Sequence, residues 1–250
     1  MIEIRSLTFT YPGQATPVFH TLDWRVGRGE AWAVIGPSGC GKSTLLYLIA
    51  GLRTPDAGSI SVTGERVPRK QNRGKTGLVL QEYGLLPWRT VRENAELGLQ
   101  IRRFYRQDGR QPTRSVDYWL ERLGIGDLAE KYPSQVSGGQ RQRTAIARTL
   151  VVDPDVLLLD EPFSALDALT REDMQGLILD IQGETGLTMI LVTHNIEEAV
   201  VLGRRILVLT APPNTDPREI ENPQAGGPGF RQTPEFLRKT TEVRQALAGG

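Results

Sequence analysis

Only one cysteine, Cys40, occurs in the 250 residues, so the chain can hold no internal disulfide. It also lacks any apolar run approaching the ~18 residues needed to cross a bilayer. Its first residues, Met1-Ile2-Glu3-Ile4-Arg5, have neither the basic start nor the long apolar stretch of a secretory signal. The chain is therefore expected in the cytosol. Charge of one sign is missing too: thirty Lys and Arg stand against twenty-nine Asp and Glu. No general positive field points to a nucleic-acid partner, and partners must be argued from sites. No internal repeat is visible. The length admits one large domain or two small ones, either able to bury a substantial core.

What is present is Gly36-Pro37-Ser38-Gly39-Cys40-Gly41-Lys42-Ser43-Thr44, which fits G-x-x-x-x-G-K-[ST], with an apolar run before it and a leucine-rich helical stretch after it. The pattern points to a bound nucleotide triphosphate. Gly36, Gly39 and Gly41 are expected to take backbone angles closed to other residues, so that consecutive N–H groups turn inward on the phosphates. The following helix adds its positive end. Lys42 supplies a mobile point charge for the outer phosphates, and the Ser43 hydroxyl suits Mg²⁺. Cys40 lies inside this loop, where small size is expected to matter more than thiol chemistry.

Short runs from Ile2 to about Gly64, including Ile2-Glu3-Ile4, Leu22 to Val26 and Ser59 to Val62, are separated by turn residues and read as strands. Ala31-Trp32-Ala33-Val34-Ile35 runs directly into the glycine loop, as a central strand would whose carboxyl end carries the phosphate site. Val156 to Leu159 and Met189 to Val192 are near-continuous apolar runs, expected as strands buried on both faces of a parallel sheet. Helical spacing covers Leu169 to Gln182 and Ile196 to Leu202. Helices are also expected from about Thr90 to Arg103 and from Thr113 to Leu123, with the turn-rich stretch from Gln107 to Pro112 between them. This describes an α/β core with a helical insertion. Past Leu209, Ala211-Pro212-Pro213-Asn214 and Gly226-Gly227-Pro228-Gly229 suit an exposed linker, and Pro234 to Leu247 a short amphipathic helix packing on its own domain.

Asp160 and Glu161 follow the run Val156 to Leu159, so one buried strand carries adjacent carboxylates to the sheet edge expected nearest the phosphate loop. Asp160 is expected to help hold Mg²⁺ beside Ser43, and Glu161 to orient or deprotonate the attacking water. Ser137-Gly138-Gly139-Gln140 precedes a helical stretch for which Ser137 is a good N-cap, giving a second anion-binding helix start. One triphosphate hardly needs two such cradles from one domain, which suggests a site completed in trans. A cap with glycines for close packing is the other reading of that segment.

The set Gly36 to Thr44, Gln81, Ser137 to Gln140, Asp160-Glu161-Pro162, Ser164-Ala165-Leu166-Asp167 and His194 resembles an ATP-binding-cassette (ABC) ATPase, in order and spacing as well as motif, from Ile2 to about Leu209. The resemblance implies a P-loop NTPase (RecA-like) core with a mainly parallel sheet, an N-terminal antiparallel β-subdomain and a helical insertion. It implies one cassette domain over 1–250, with core 1–82 and 136–210, helical subdomain 83–135 and C-terminal segment 211–250. Two copies, or two homologous subunits, would sandwich two ATP molecules, each between the phosphate loop of one and Ser137 to Gln140 of the other. Tyr11 matches the aromatic residue that stacks on adenine. Gln81 matches the glutamine that contacts Mg²⁺ and water, and His194 the histidine that contacts the γ-phosphate. Val136 replaces the usual leucine before Ser137, and Asn195 follows His194 where aspartate is common.

Tyr83 to Asn94 includes Leu85-Leu86-Pro87-Trp88 and resembles a segment of importer ATPases in the nitrate, sulfonate and taurine group. In that family this region receives a short coupling helix from the membrane permease; packing of Leu85, Leu86 and Trp88 inside the insertion is the other reading. The resemblance implies a peripheral ATPase on the cytoplasmic face of the inner membrane, driving a permease that works with a separate solute-binding protein and using no nucleic acid. An exporter, lipoprotein-release or division-linked cassette is the alternative. A DNA- or ribosome-remodelling cassette is disfavoured by the lack of coiled-coil, zinc-binding or second-cassette insertions. The segment beyond Ala211 is short for the regulatory β-domain of sugar-type importer ATPases.

Overall fold

The computed structural model describes residues 1–68, 76–104 and 112–249. The chain divides into two compact units, Met1–Arg69 with Ile178–Gly250, and Lys70–Leu177. Elements are numbered along the chain. No helix among the described residues is long and apolar enough to cross a membrane.

The first unit contains two sheets. Strand β1, Ile2–Phe9, buries Ile2 and Ile4 and then Leu7 and Phe9, so its inward face changes phase midway. Ser6, at φ 47°, makes the change, and the register with both neighbours shifts there, as a bulge requires. Those neighbours are β2, Phe19–Val26, and β4, Ala57–Val62, both antiparallel to β1; β5, Glu65–Val67, pairs with β4. Opposite the bulge only glycine fits, since a Cβ on Gly58 would lie 2.3 Å from the Ser6 carbonyl oxygen.

In the second sheet β3, Ala31–Ile35, lies between β8, Thr188–Thr193, and β9, Arg205–Val208, all parallel. Every residue of β3 and β8 is buried, which is why both read as unbroken apolar runs. Strand β10, Arg218–Glu221, adds an antiparallel edge to β9. Trp24 of β2 and Trp32 of β3 meet edge to face at 5.1 Å and lock the two sheets together. Helix α1, Lys42–Ile49, leaves the end of β3 through the glycine loop, and α6, Ile196–Leu202, leaves the end of β8.

In the second unit β6, Thr76–Val79, runs parallel to β7, Val156–Asp160. Helix α2, Val91–Phe104, packs on α4, Gly138–Leu150, and on the short α3, Val116–Arg122. A Cβ on Gly98 of α2 would come within 2.8 Å of the Arg148 carbonyl, so this glycine permits the close helix contact. The predicted helices over Thr90 to Arg103 and Thr113 to Leu123 therefore correspond to α2 and α3; the predicted turn over Gln107 to Gln111 lies outside the described residues. Helix α5, Ala168–Thr185, contains the boundary between the units.

The segment past Leu209 is not an exposed linker. Asn214 is 2% exposed and Asn222 is fully buried, and β10 lies between them and extends the sheet. Asn222 Nδ2 donates to the carbonyls of Val200 and Gly203 at 2.7 and 2.8 Å. Phe230 and Phe236 meet edge to face at 5.7 Å where α7, Pro234–Ala248, begins, and α7 packs on α6. Proline and glycine here make turns between buried anchors, and the anchors are single asparagines that composition does not reveal.

Candidate nucleotide-binding site

The phosphate loop is set by what surrounds it. Gly41, at φ 107°, is the N-cap of α1 and brings no side chain to the helix start. A Cβ there would also lie 2.4 Å from Val18 Cγ1, so both conformation and space demand glycine. Gly36 differs from the expectation: it is not at positive φ, and what it needs is room, because a Cβ would fall 2.6 Å from both Cys40 Sγ and the Leu209 carbonyl oxygen. Gly39, at φ 78°, keeps the conformational role assigned to it. With no acidic residue in the first turn of α1, nothing there opposes an anion.

Lys42 is buried, and its ammonium donates to the carbonyls of Gly36 and Pro37 at 2.9 and 3.0 Å, which holds the charge inside the loop. Cys40 is buried as well, and loss of hydration pushes its thiol pKa above the usual value against the weaker opposing pull of Lys42. This agrees with a small filler, not a nucleophile. Tyr11 is half-buried; its hydroxyl shares a 2.8 Å hydrogen bond with Thr44 Oγ1, and the Arg53 guanidinium sits 4.7 Å over its ring. Ser43 is half-buried and Ser38 exposed.

His194 is exposed just beyond β8, and the pairing of Ile35 with Thr193 puts it at the same sheet end as the glycine loop. Asn195 caps α6, its Oδ1 accepting from Glu198 N at 3.2 Å. Asparagine and aspartate cap equally well, so the exchange leaves the local fold unchanged. Within the first unit the structure thus brings together Tyr11, the loop Gly36 to Thr44 and His194.

The second unit carries the remaining motif residues. Asp160 ends β7 almost fully buried, and half-buried Glu161 follows at φ 44°. A non-glycine residue in that region carries strain of about 1–3 kcal/mol and commonly marks a functional position. Gln81, exposed beyond β6, leaves the same end of the β6–β7 pair as Glu161. Ser137 is the N-cap of α4: its Oγ accepts from Gln140 N at 3.3 Å, while Gln140 Oε1 accepts from Ser137 N at 2.8 Å. Gly139 is needed for packing, since a Cβ would lie 2.9 Å from Thr170 Cγ2, but a Cβ on Gly138 would meet nothing closer than 3.8 Å. The capping and packing reading therefore holds for Ser137 and Gly139 and leaves Gly138 unexplained by it. Val136 is buried, so its exchange for leucine is a core change. Asp167 caps α5, its Oδ1 accepting from Thr170 N at 3.1 Å. In the stretch Leu85 to Trp88 the two leucines are half-buried, while Trp88 is 70% exposed.

A family model described as ABC transporter matches residues 19–164. The taurine import ATP-binding protein of Pseudomonas aeruginosa is 41% identical over 252 residues, covering 98% of this chain and 92% of its own length. The nitrate import ATP-binding protein of Synechocystis is 39% identical, covering 99% of this chain and 95% of its own length. This chain belongs to the ABC transporter family. A dimeric ATP-binding cassette solved in a post-hydrolysis state with ADP and Pi superposes with a TM-score of 0.74 at 31% identity, covering 88% of this chain and 98% of that one. The chain is thus an ABC ATPase, and motif reading leaves out several side chains that shape its sites. Arg148 of α4 donates to the carbonyls of Tyr83 and Gly84, both at 2.6 Å, and its burial lowers the guanidinium pKa. Asn94 of α2, fully buried, donates to the carbonyls of Leu86, Arg89 and Thr90 and accepts from Leu86 N. Together they pin the loop that carries Trp88. In the first unit of this ABC ATPase, Asn214 reaches the phosphate loop itself, donating to the Cys40 carbonyl at 2.9 Å. Only Arg148 and Asn94 fall in motif-like stretches, and neither carries a recognisable spacing.

Proposed function

We propose that this ABC ATPase powers import of a small solute through a separate membrane permease, working as a nucleotide-sandwich dimer on the cytoplasmic face of the membrane. The observation that carries the reading is the uncapped, cation-lined loop Gly36 to Thr44, joined to near full-length likeness to importer subunits named for taurine and nitrate. The same names favour a small anionic or zwitterionic nutrient received from a separate solute-binding protein. The whole chain acts as one cassette domain, with 83–135 as its helical subdomain and Trp88 offered to the permease.

In the proposed cycle the loop's N–H groups and Lys42 hold the phosphates of ATP, and Lys42 exchanges its bonds to Gly36 and Pro37 for phosphate oxygens. Tyr11, half-buried beside the loop, stacks on the adenine. Ser43, Asp160 and Gln81 offer the oxygen donors that suit Mg²⁺, which would screen the phosphate charge. Glu161 orients the attacking water and takes its proton as the water oxygen bonds to the γ-phosphorus and the bond to ADP breaks. His194 donates a hydrogen bond to the γ-phosphate as charge develops there. Ser137 to Gln140 of a second copy closes over the same phosphate.

Glu161→Gln tests the shared site. It should lower hydrolysis by about 10²–10⁴-fold, the usual worth of a general base, keep ATP binding, and elute as a dimer with ATP and Mg²⁺. A variant that stays monomeric at saturating ATP and Mg²⁺ overturns the sandwich. Isolation of the complex from native membranes with a multi-span permease tests the importer reading separately.

A further inference from the structure

We infer that Asn214 is a positioning residue for the phosphate loop, aiming the backbone N–H of Gly41 at the nucleotide from the C-terminal segment. Its side chain is 2% exposed and makes three hydrogen bonds, all to backbone groups. Oδ1 accepts from Thr210 N at 2.9 Å, and Nδ2 donates to the carbonyls of Cys40 at 2.9 Å and Val18 at 3.3 Å. Because two partners are carbonyls and one is an N–H, a single orientation of the amide satisfies them all. The backbone of Asn214 joins the same cluster: its N–H donates to the Val18 carbonyl at 3.0 Å and its carbonyl accepts from His20 N at 3.1 Å.

The consequence for the site follows from peptide geometry. The Cys40 carbonyl and the Gly41 N–H belong to one planar trans peptide and point in opposite directions. Anchoring that carbonyl on Asn214 therefore turns the Gly41 N–H away from the interior, the orientation a phosphate-binding loop needs. Cys40 lies between Gly39 and Gly41, both at positive φ, 78° and 107°, where the backbone has most freedom to rotate out of place. The Val18 carbonyl on the same amide fixes the second boundary, since Val18 and Phe19 wall Gly41 from the other side. Asn214 thus joins three segments distant in sequence at the one peptide whose orientation matters most.

The control is Asn222. It lies in the same C-terminal segment, is equally buried and donates two hydrogen bonds to backbone carbonyls, but those belong to Val200 and Gly203. Asn214→Ala and Asn222→Ala should both lower the thermal midpoint measured without nucleotide. Only Asn214→Ala should weaken binding of a fluorescent ATP analogue, by roughly five- to tenfold, the worth of about one buried hydrogen bond, and raise KM for ATP while leaving kcat within about twofold. Asn214→Asp, which sets a carboxylate against two carbonyls, should weaken binding more than Asn214→Ala. If both alanine variants lower the midpoint and neither changes nucleotide affinity, or both change it alike, Asn214 is a structural anchor only and the inference fails. If Asn214→Asp does not fold, the alanine pair decides alone.

Discussion

Helix α1 opens on Gly41 with no side-chain cap, whereas α4 opens inside a closed box in which Ser137 and Gln140 each satisfy the other's backbone N–H. The first four N–H groups of any helix lack intrahelical partners, so what meets them decides what the helix start can do. At α1 the protein leaves them to a ligand and keeps a buried ammonium beside them. At α4 the protein answers part of the demand itself, with Ser137 standing exposed. The Ser137 hydroxyl accepts from Gln140 N, and in the proposed dimer it would donate its own hydrogen to a phosphate oxygen. In the proposed cycle one helix start receives the phosphates, and the other, already capped, lends a donor. That division suits a site whose primary half must capture ATP alone and whose second half arrives already formed.

The largest expected effect breaks the α1 side. Lys42→Met should remove ATP binding and lower hydrolysis by at least about 10²-fold, as loss of a charge-stabilising group does. It should shift the thermal midpoint of the nucleotide-free protein by no more than about 3 °C, because a buried charge is exchanged for an apolar chain of similar length. Calorimetry with and without ATP separates the two quantities. Hydrolysis within a few-fold of the parent would show that the loop does not depend on this cation.

On the α4 side the order of effects should reverse. Ser137→Ala removes the cap and should cost about 1 kcal/mol of stability, or roughly 2–4 °C in midpoint for a chain of this size. ATP affinity of the monomer should remain as in the parent, while ATP-driven dimerisation weakens, as sedimentation of a Glu161→Gln background would register. A fall in monomer affinity comparable to that of Lys42→Met would erase the distinction between the two helix starts.

Much of this layout can be read from the chain because its central elements announce themselves locally. Ala31 to Ile35 is apolar throughout because both faces of β3 are covered, and Ile196 to Leu202 carries helical spacing. The phosphate loop and the Ser137 cap are legible for the same reason, since each works through residues within a few positions of one another. What stayed hidden depends on partners far along the chain. The edge strand β10, Arg218-Glu219-Ile220-Glu221, buries only Ile220 and has no apolar run to betray it. Asn214 and Arg148 act on backbone carbonyls 174 and 64 to 65 residues away, and a carbonyl leaves no mark in the sequence. Gly36 was legible as a necessary glycine but for the wrong cause, because the crowding by Cys40 and Leu209 exists only in the fold.

The last test concerns Tyr11 and sharpens what α1 itself contributes. Its hydroxyl bonds to Thr44 in the first turn of α1, while its ring lies under Arg53 at 4.7 Å and against Phe9 at 5.1 Å. These two attachments have separable roles: the hydroxyl fixes the ring to the helix, and in the proposed cycle the ring stacks on the adenine. Tyr11→Phe removes only the hydroxyl, so it should cost about 0.5–1.5 kcal/mol of stability and leave the affinity for ATP within about threefold. Tyr11→Leu removes the ring and should weaken ATP and GTP alike, by the ~1–3 kcal/mol that stacking of one base contributes. Competition binding of the two nucleotides measures both variants. Should Tyr11→Phe weaken binding as much as Tyr11→Leu, the hydrogen bond to Thr44 and not the stack would be the contribution of Tyr11, and the uncapped start of α1 would owe its shape to it.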